Sequence, residues 1–386
     1  MARVHLTRCN DYNPAGVQSA VREALAAVIP PGLLRPGLQV LLKPNVINDM
    51  TPDRAVCTHP QVVRAVAEYV LEAGASVIIA DQPGYALAQE AARAFNNTGM
   101  VEACAGLDVQ FELLAQGGYT DIALANPWRL KTVQYATRAH TADLVINLPK
   151  AKTHSQTLYT GALKNMFGAM APRQRLEVHL LGGYWALSEA LVDCYAARVP
   201  EVHLMDAVVV MEGMGPTQGR PRDLGAIAAS TDGVALDLIT AGLMGFADDE
   251  IATTVVAGNS GIGERLRDNI EVTGLAPAEV TRRVARAPIV RPDMLGRLMP
   301  LLRPLITARP SVDRRKCRQC QACAGICPRK AIVIEDYARV DCKLCVECFC
   351  CLEACPYDAI GLKRSPFYTL AWWVKKLLDK ILTRKQ

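Results

Sequence analysis

The sequence predicts an α/β domain built on an open, mainly parallel sheet, followed by a small α+β module crowded with cysteine. Three observations carry this. Short apolar runs alternate with longer amphipathic stretches up to residue 287, five prolines interrupt the chain from Pro288 to Pro310, and ten of the fourteen cysteines fall between Cys317 and Cys355. Alternation of strand-like and helix-like segments is what parallel sheets with helical crossovers require. With 386 residues, 51% of them apolar and 21% charged, the chain supports two or more cores and is too apolar to stay disordered.

The strands follow one another as Gln39–Leu42, Ala75–Ala80, Leu144–Leu148, Val202–Met211 and Ala226–Ala229. Between the first two, Thr58-His-Pro60 opens a helix, because a polar residue precedes a proline in the first turn and Val62, Val63, Val66, Tyr69 and Val70 recur at helical spacing. It stops near Gly74. Gly213, Gly215, Pro216 and Gly219 predict a loop after the strand that ends at Met211. Residues 1–287 therefore read as the α/β domain, 288–310 as a Pro-rich linker, 311–362 as the cysteine module, and 363–386 as a basic amphipathic helix. In that last segment Phe367, Leu370, Val374, Leu377 and Ile381 form a stripe beside Lys375, Lys376 and Lys380, with Tyr368, Trp372 and Trp373 alongside. Such a helix either covers a neighbouring domain, contacts a partner protein or lies on an anionic membrane surface.

The cysteines form two runs, Cys317-x2-Cys320-x2-Cys323-x3-Cys327-Pro328 and Cys345-x2-Cys348-x2-Cys351-x3-Cys355-Pro356. This is the bacterial-type spacing for two [4Fe–4S] clusters, in which the fourth cysteine of each run ligates the other cluster. Three thiolates on one tight loop reach three irons of a cubane. The fourth, past the turn, points across. One cluster is thus expected on Cys317, Cys320, Cys323 and Cys355, and the other on Cys327, Cys345, Cys348 and Cys351. A zinc ribbon, needing four ligands in two pairs, explains the interlocked sets poorly. Cys342 and Cys350 are left over, the first as a competing ligand register that would need a cysteine at Leu352, the second as a packed neighbour. Cys9, Cys57, Cys104 and Cys194 read as small buried hydrophobes.

Polar residues stand where the apolar strands end: Lys43 and Asn45, Asp81, Lys150 with Lys152 and His154, and Asp206. In an open α/β sheet the carboxyl ends of the strands form the binding crevice, so these side chains, with Lys164 and Asn165 at the opening of a short helix, predict a site for an anionic ligand. Glu212, Asp232 and Asp237 offer a divalent cation site or a counterweight to the lysines. No G-x-G-x-x-G or Walker pattern follows a strand, so no nucleotide fingerprint is present.

The blocks Lys43-Pro-Asn45, Thr58-His-Pro60, Asn147-Leu-Pro-Lys-Ala-Lys-Thr-His154, Tyr159-Thr-Gly-Ala-Leu-Lys-Asn-Met-Phe-Gly168, Met211-Glu-Gly-Met-Gly-Pro216 and Ser230-Thr-Asp-Gly-Val-Ala-Leu-Asp237 together resemble the DUF362 family, here joined to a ferredoxin-type domain. The resemblance runs from about residue 38 to 245. It implies that Lys150, Lys152, His154, Lys164, Asn165, Glu212 and Asp237 are family motif residues. It supplies fold and cluster type and carries over no reaction.

The function expected is that of a ferredoxin-type electron-transfer protein, or a reductase, serving a redox partner protein or a small anionic substrate. The alternative is a non-redox enzyme or a maturation factor whose clusters are structural or regulatory. The net charge of +5 spread over 43 basic and 38 acidic residues predicts no nucleic-acid face. The N-terminus lacks an apolar signal region, and clustered cysteines fit a reducing compartment, so a cytoplasmic protein with optional peripheral membrane contact is expected.

Overall fold

The computed structural model describes residues 1–84, 88–287, 308–370 and 373. Most of the expected linker and of the basic helix beyond Leu370 lies outside the described residues.

One ten-stranded sheet organises the α/β part. Its strands are β1 (Ala2–Arg8), β2 (Gln39–Pro44), β3 (Ser76–Asp81), β4 (Val109–Leu113), β5 (Leu144–Leu148), β6 (Lys150–His154), β7 (Leu158–Thr160), β8 (Val202–Met214), β9 (Gln218–Ser230) and β10 (Ile270–Gly274). They lie in the order β10-β1-β9-β8-β5-β2-β3-β4, with β6 beside β8 and β7 beside β6. The run β4-β3-β2-β5-β8 is parallel throughout. By contrast, β1 and β8 both pair antiparallel with β9, and β7 with β6. The sheet is mixed rather than mainly parallel, because one long hairpin is built into its middle.

The parallel half reads as near-continuous apolar sequence because helices cover both faces. Within β2, Leu41 joins one core while Val40 and Leu42 join the other; Ile78 and Ala80 of β3 likewise face away from Val77 and Ile79. The helices Pro14–Val28 and Pro60–Glu72 pack on one side and Tyr184–Ala197, Gly233–Leu243 and Ala252–Asn259 on the other. His59 caps the second of these helices by accepting from the Gln61 N–H, and the following turn passes through Gly74 at φ +78°.

The hairpin corrects the expected glycine loop. β8 runs on to Met214 and Gly219 already belongs to β9, so only Gly215, Pro216 and Thr217 make the turn. Gly213 pairs with Gly219 and Met214 with Gln218. A Cβ on Gly215 would collide with the Thr153 backbone, which is why the tip can lie against β6.

Residues 308–370 build a separate small core around Phe349, Leu352, Ile360 and Tyr368. The strand Ala308–Val312 pairs with Ile360–Arg364, and Ile332–Ile334 with Ala338–Val340. Short helices, Ala322–Gly325 and Cys350–Ala354, carry the third cysteine of each run. The two runs repeat in backbone as well as in sequence. Gln319, Gln321 and Lys330 in the first run, and Glu347, Phe349 and Asp358 at matching places in the second, all have left-handed φ between +49° and +65°. Such conformations are costly for residues other than glycine and are kept where the chain must curl tightly.

Candidate functional site

The curled loops surround two small cavities. One is lined by Cys317, Cys320, Cys323 and Cys355, and the other by Cys327, Cys345, Cys348 and Cys351. Each therefore collects three cysteines of one run and the last cysteine of the other. Backbone N–H groups point at cysteine sulfurs, from Ala331 to Cys327 Sγ at 3.2 Å and from Ala359 to Cys355 Sγ at 3.3 Å, again at matching positions. Ala338 N–H adds a longer contact to Cys317 Sγ at 3.5 Å. Apolar residues close the walls, among them Ile332, Val340 and Phe349 around one cavity and Val312, Ile334 and Ile360 around the other. Sulfur-rich, walled by apolar side chains and decorated with N–H donors, these cradles suit a thiolate-bound group. Cys342 is exposed and lines neither cavity, whereas Cys350 is buried and turns away from both.

A third, larger cavity of about 310 Å³ opens between the cysteine module and the carboxyl ends of β2 and β3. Its α/β wall includes Lys43, Asn45, Asp81, Lys164, Asn165, Phe167, Arg175 and His179; its opposite wall includes Ala322, Ile326, Cys350, Glu353 and Ala354. Both short cysteine-bearing helices thus form one side of the cleft. The module is pinned in place by Arg54–Asp358 at 3.0 Å, by Gln218 Nε2 donating to the Leu352 and Ile360 carbonyls at 3.1 and 3.0 Å, and by Gln156 donating to the Cys348 carbonyl.

The structure divides the predicted ligand residues. Lys43, Asn45, Lys164 and Asn165 line the cleft; Lys150, Lys152 and His154 stand behind it. All three of the latter lie on one side of β6, as an extended segment requires, and all are buried. Lys150 Nζ donates to Asp206 Oδ2 at 2.8 Å and to the Tyr12 hydroxyl at 2.7 Å. Lys152 Nζ donates to Asn45 Oδ1 and to the Val56 carbonyl at 2.5 and 2.6 Å. Having only neutral acceptors, Lys152 is pushed down to about 7 by burial. His154 Nδ1 accepts from Gln156 N at 2.9 Å, and its Nε2 lies 3.6 Å from Glu353 Oε1.

From Lys152 a chain of side-chain hydrogen bonds crosses the domain. Asn45 Nδ2 donates to Asn165 Oδ1 at 2.9 Å and Asn165 Nδ2 to Asn147 Oδ1 at 2.7 Å. Asn147 then meets His203 at 3.1 Å, and His203 meets the Tyr195 hydroxyl at 3.1 Å. A fully satisfied buried network of this kind fixes side-chain positions. On the cleft floor, Lys43 Nζ meets Asp81 Oδ1 at 2.7 Å, with neither side chain more than 3% exposed. Burial lowers Lys43 and the Asp81 charge opposes that shift. Burial likewise lowers Lys164, opposed by Glu353, and Arg175.

The three carboxylates read as a cation site are not one. Asp232 caps the helix Gly233–Leu243, Asp237 accepts from the Ala162 and Leu163 N–H groups, and Glu212 accepts from Ala285 N. Each is occupied by backbone donors in its own place, and burial raises Asp237 to about 7. Among the described residues no group of His, Cys, Asp or Glu converges on a single metal ion. Arg175, His179 and Glu353 were not singled out by sequence. Arg175 and His179 stand one turn apart on the helix Pro172–Leu180, a spacing that by itself marks no site, and Glu353 meets them only through docking of the module.

The family model "Domain of unknown function (DUF362)" matches residues 40–242. The chain belongs to the DUF362 family. The α/β wall of the cleft falls within that DUF362 match, while the cysteine-bearing wall lies beyond it. A relative, the thylakoid-associated protein sll1697 of Synechocystis sp., is 35% identical over 240 residues, covering 61% of this chain and 72% of its own. Among solved structures, the lactate racemase apoprotein from Thermoanaerobacterium thermosaccharolyticum is 13% identical with a TM-score of 0.40, the match covering 60% of this chain and 54% of that one. A protein from Thermotoga maritima is 12% identical with a TM-score of 0.39, covering 58% and 57% respectively. The chain thus matches little more than half the length of either. Among the described residues, no helix is long and apolar enough to cross a membrane.

Proposed function

We propose that this DUF362 protein is a ferredoxin-type electron carrier in which the cysteine module, residues 311–362, holds two [4Fe–4S] clusters and serves an anionic ligand bound in the cleft against the domain of residues 1–287. When bound, the clusters supply one-electron reduction and oxidation, at potentials set by hydrogen bonding and solvent exposure. The observation that carries the reading is the lining of the two sulfur cavities by crossed sets of four cysteines, with backbone N–H groups directed at Cys327 and Cys355 from matching positions. Cys317, Cys320, Cys323 and Cys355 hold one cluster; Cys327, Cys345, Cys348 and Cys351 hold the other. Both ligand helices border the cleft, so an electron leaving either loop has a short path to whatever Lys164 and Arg175 bind.

Lys43, Asn45 and Asn165 shape the floor, and the buried network behind them holds that shape. The redox partner that charges the module is a second protein. Phe367, Leu370 and Trp373, each more than half exposed at the end of the module, give it or a membrane surface a place to contact. The name of the thylakoid-associated relative supports a peripheral membrane setting.

Protein purified without oxygen is expected to hold about eight irons and eight sulfides per chain. It should bleach with dithionite and regain its colour on re-oxidation. Stoichiometric zinc overturns the cluster reading, and clusters that resist reduction favour a structural role for them.

A further inference from the structure

The cleft has a charge and polarity pattern that narrows its ligand. Of its cationic side chains, Lys43 is matched by Asp81, and Arg173 by Glu177 at 3.3 Å. Lys164 and Arg175 remain, and among the described residues neither has a carboxylate within ion-pair distance. Among the described residues Glu353 is the one further acid of the lining, and its field reaches Lys164. Lys43, Lys164 and Arg175 therefore share two acids, Asp81, whose field also reaches Arg175, and Glu353, which leaves an excess of one positive charge. Of these cations Arg175 has the donors to spare: its half-buried guanidinium spends only Nη1, on the Gln82 carbonyl at 3.1 Å. Its remaining N–H groups form the planar fork that matches a carboxylate edge to edge. Burying a cation without a partner is unfavourable, so the site is built for an anion it does not itself supply.

The rest of the wall is mixed, with Val46, Ile47, Phe167, Leu176 and Ile326 interleaved with amide and hydroxyl groups such as those of Asn45, Gln82 and Thr160. A phosphate or a nucleotide brings two or more negative charges against an excess of one positive charge in the lining, so a monovalent anion matches it better. With about 310 Å³, the cavity has room for on the order of ten waters, or one compact organic molecule.

We propose that the cleft binds a small monocarboxylate with an apolar body, its carboxylate paired with Arg175 and steered by Lys164, and its body against Phe167, Leu176 and Ile326. This rests on the reading that the cleft holds the ligand served by the cysteine module, and it names that ligand's chemical class.

Isothermal titration of the anaerobically purified full-length protein with 3-phenylpropanoate, its neutral amide and inorganic phosphate tests it. Saturable binding of the acid is expected, with the amide at least tenfold weaker and phosphate unable to displace the acid. Arg175→Gln should lose tenfold or more in affinity while keeping its iron, and Arg175→Lys should recover part of the loss. An amide that binds as tightly as the acid, or phosphate that binds more tightly, overturns the proposal. If Arg175→Gln does not fold, the acid against amide comparison on unmodified protein decides alone. Iron and sulfide are counted in the same sample to separate the two claims. Failure to bind the acid with about eight irons present overturns this proposal and spares the cluster reading. Binding by iron-free protein supports this proposal and overturns that reading.

Discussion

The two walls of the cleft are stabilised by opposite means. The α/β wall stands on two large cores that sandwich the sheet, and the lysines at and behind its floor are paired within the protein: Lys43 with Asp81, Lys150 with Asp206 and Tyr12, Lys152 with Asn45 and Val56. The cysteine wall has a core of eleven buried residues, three of them cysteines assigned to clusters, and six left-handed non-glycine residues in its loops. A module so small buries little apolar surface with which to hold strained loops, so on the cluster reading its fold is expected to depend on what the cysteines bind. One wall is shaped before any ligand arrives. The other is expected to hold its shape only when its cysteines are loaded.

The largest expected effect breaks that comparison most openly. Removing iron with a chelator under reducing conditions should melt residues 308–370 while leaving the sheet folded. Hydrogen exchange should show full loss of protection in the hairpin Ile332–Val340 and little change in β2, β3 and β5; equal loss in both would mean that one cooperative unit spans the cleft.

Next in size is Asp81→Asn, which leaves Lys43 buried opposite a neutral amide. A loss of about 3 kcal/mol in the denaturant stability of the α/β domain is expected with iron content unchanged. Iron loss in step with destabilisation would show that the floor of the cleft also props the module.

The smallest effect concerns pH. Burial holds Lys152 at about 7 in the folded protein against 10.5 as an ordinary lysine. Between those values the unfolded chain keeps a proton the folded one has released, so stability rises with pH through that window. Relative to Lys152→Met, the natural protein should gain about 1 kcal/mol per pH unit from roughly pH 7 to 9. A difference that stays flat with pH would place the ammonium, charged, in the folded state.

The same contrast explains what the sequence disclosed. Strands β2, β3 and β5 were legible because helices cover both faces, which forces apolar runs such as Val40-Leu-Leu42 and Leu144–Leu148. The grouping of the cysteines around two cavities was legible because each run is local and the two runs repeat in sequence and in backbone. The β8–β9 hairpin was not, since Gly213 and Gly219 carry a loop signal locally and become strand only through pairing with each other. Lys150 and Lys152 likewise look like ligand-seeking cations until Asp206 and the Val56 carbonyl, distant in sequence, arrive beside them. Glu212, Asp232 and Asp237 look like a cation site only while the N–H groups they cap are out of view. Arg175 and Glu353 belong to the cleft through docking of one wall on the other, which no spacing records.

Crossed ligation is the central claim, and reduced-state EPR with iron counting on four single variants tests it most directly. Cys355→Ala should give the same residual spectrum as Cys317→Ala, and Cys327→Ala the same as Cys345→Ala, each pair losing one and the same four-iron centre. A Cys355→Ala spectrum that instead matches Cys345→Ala would contradict the assignment, showing that each run binds its own cluster.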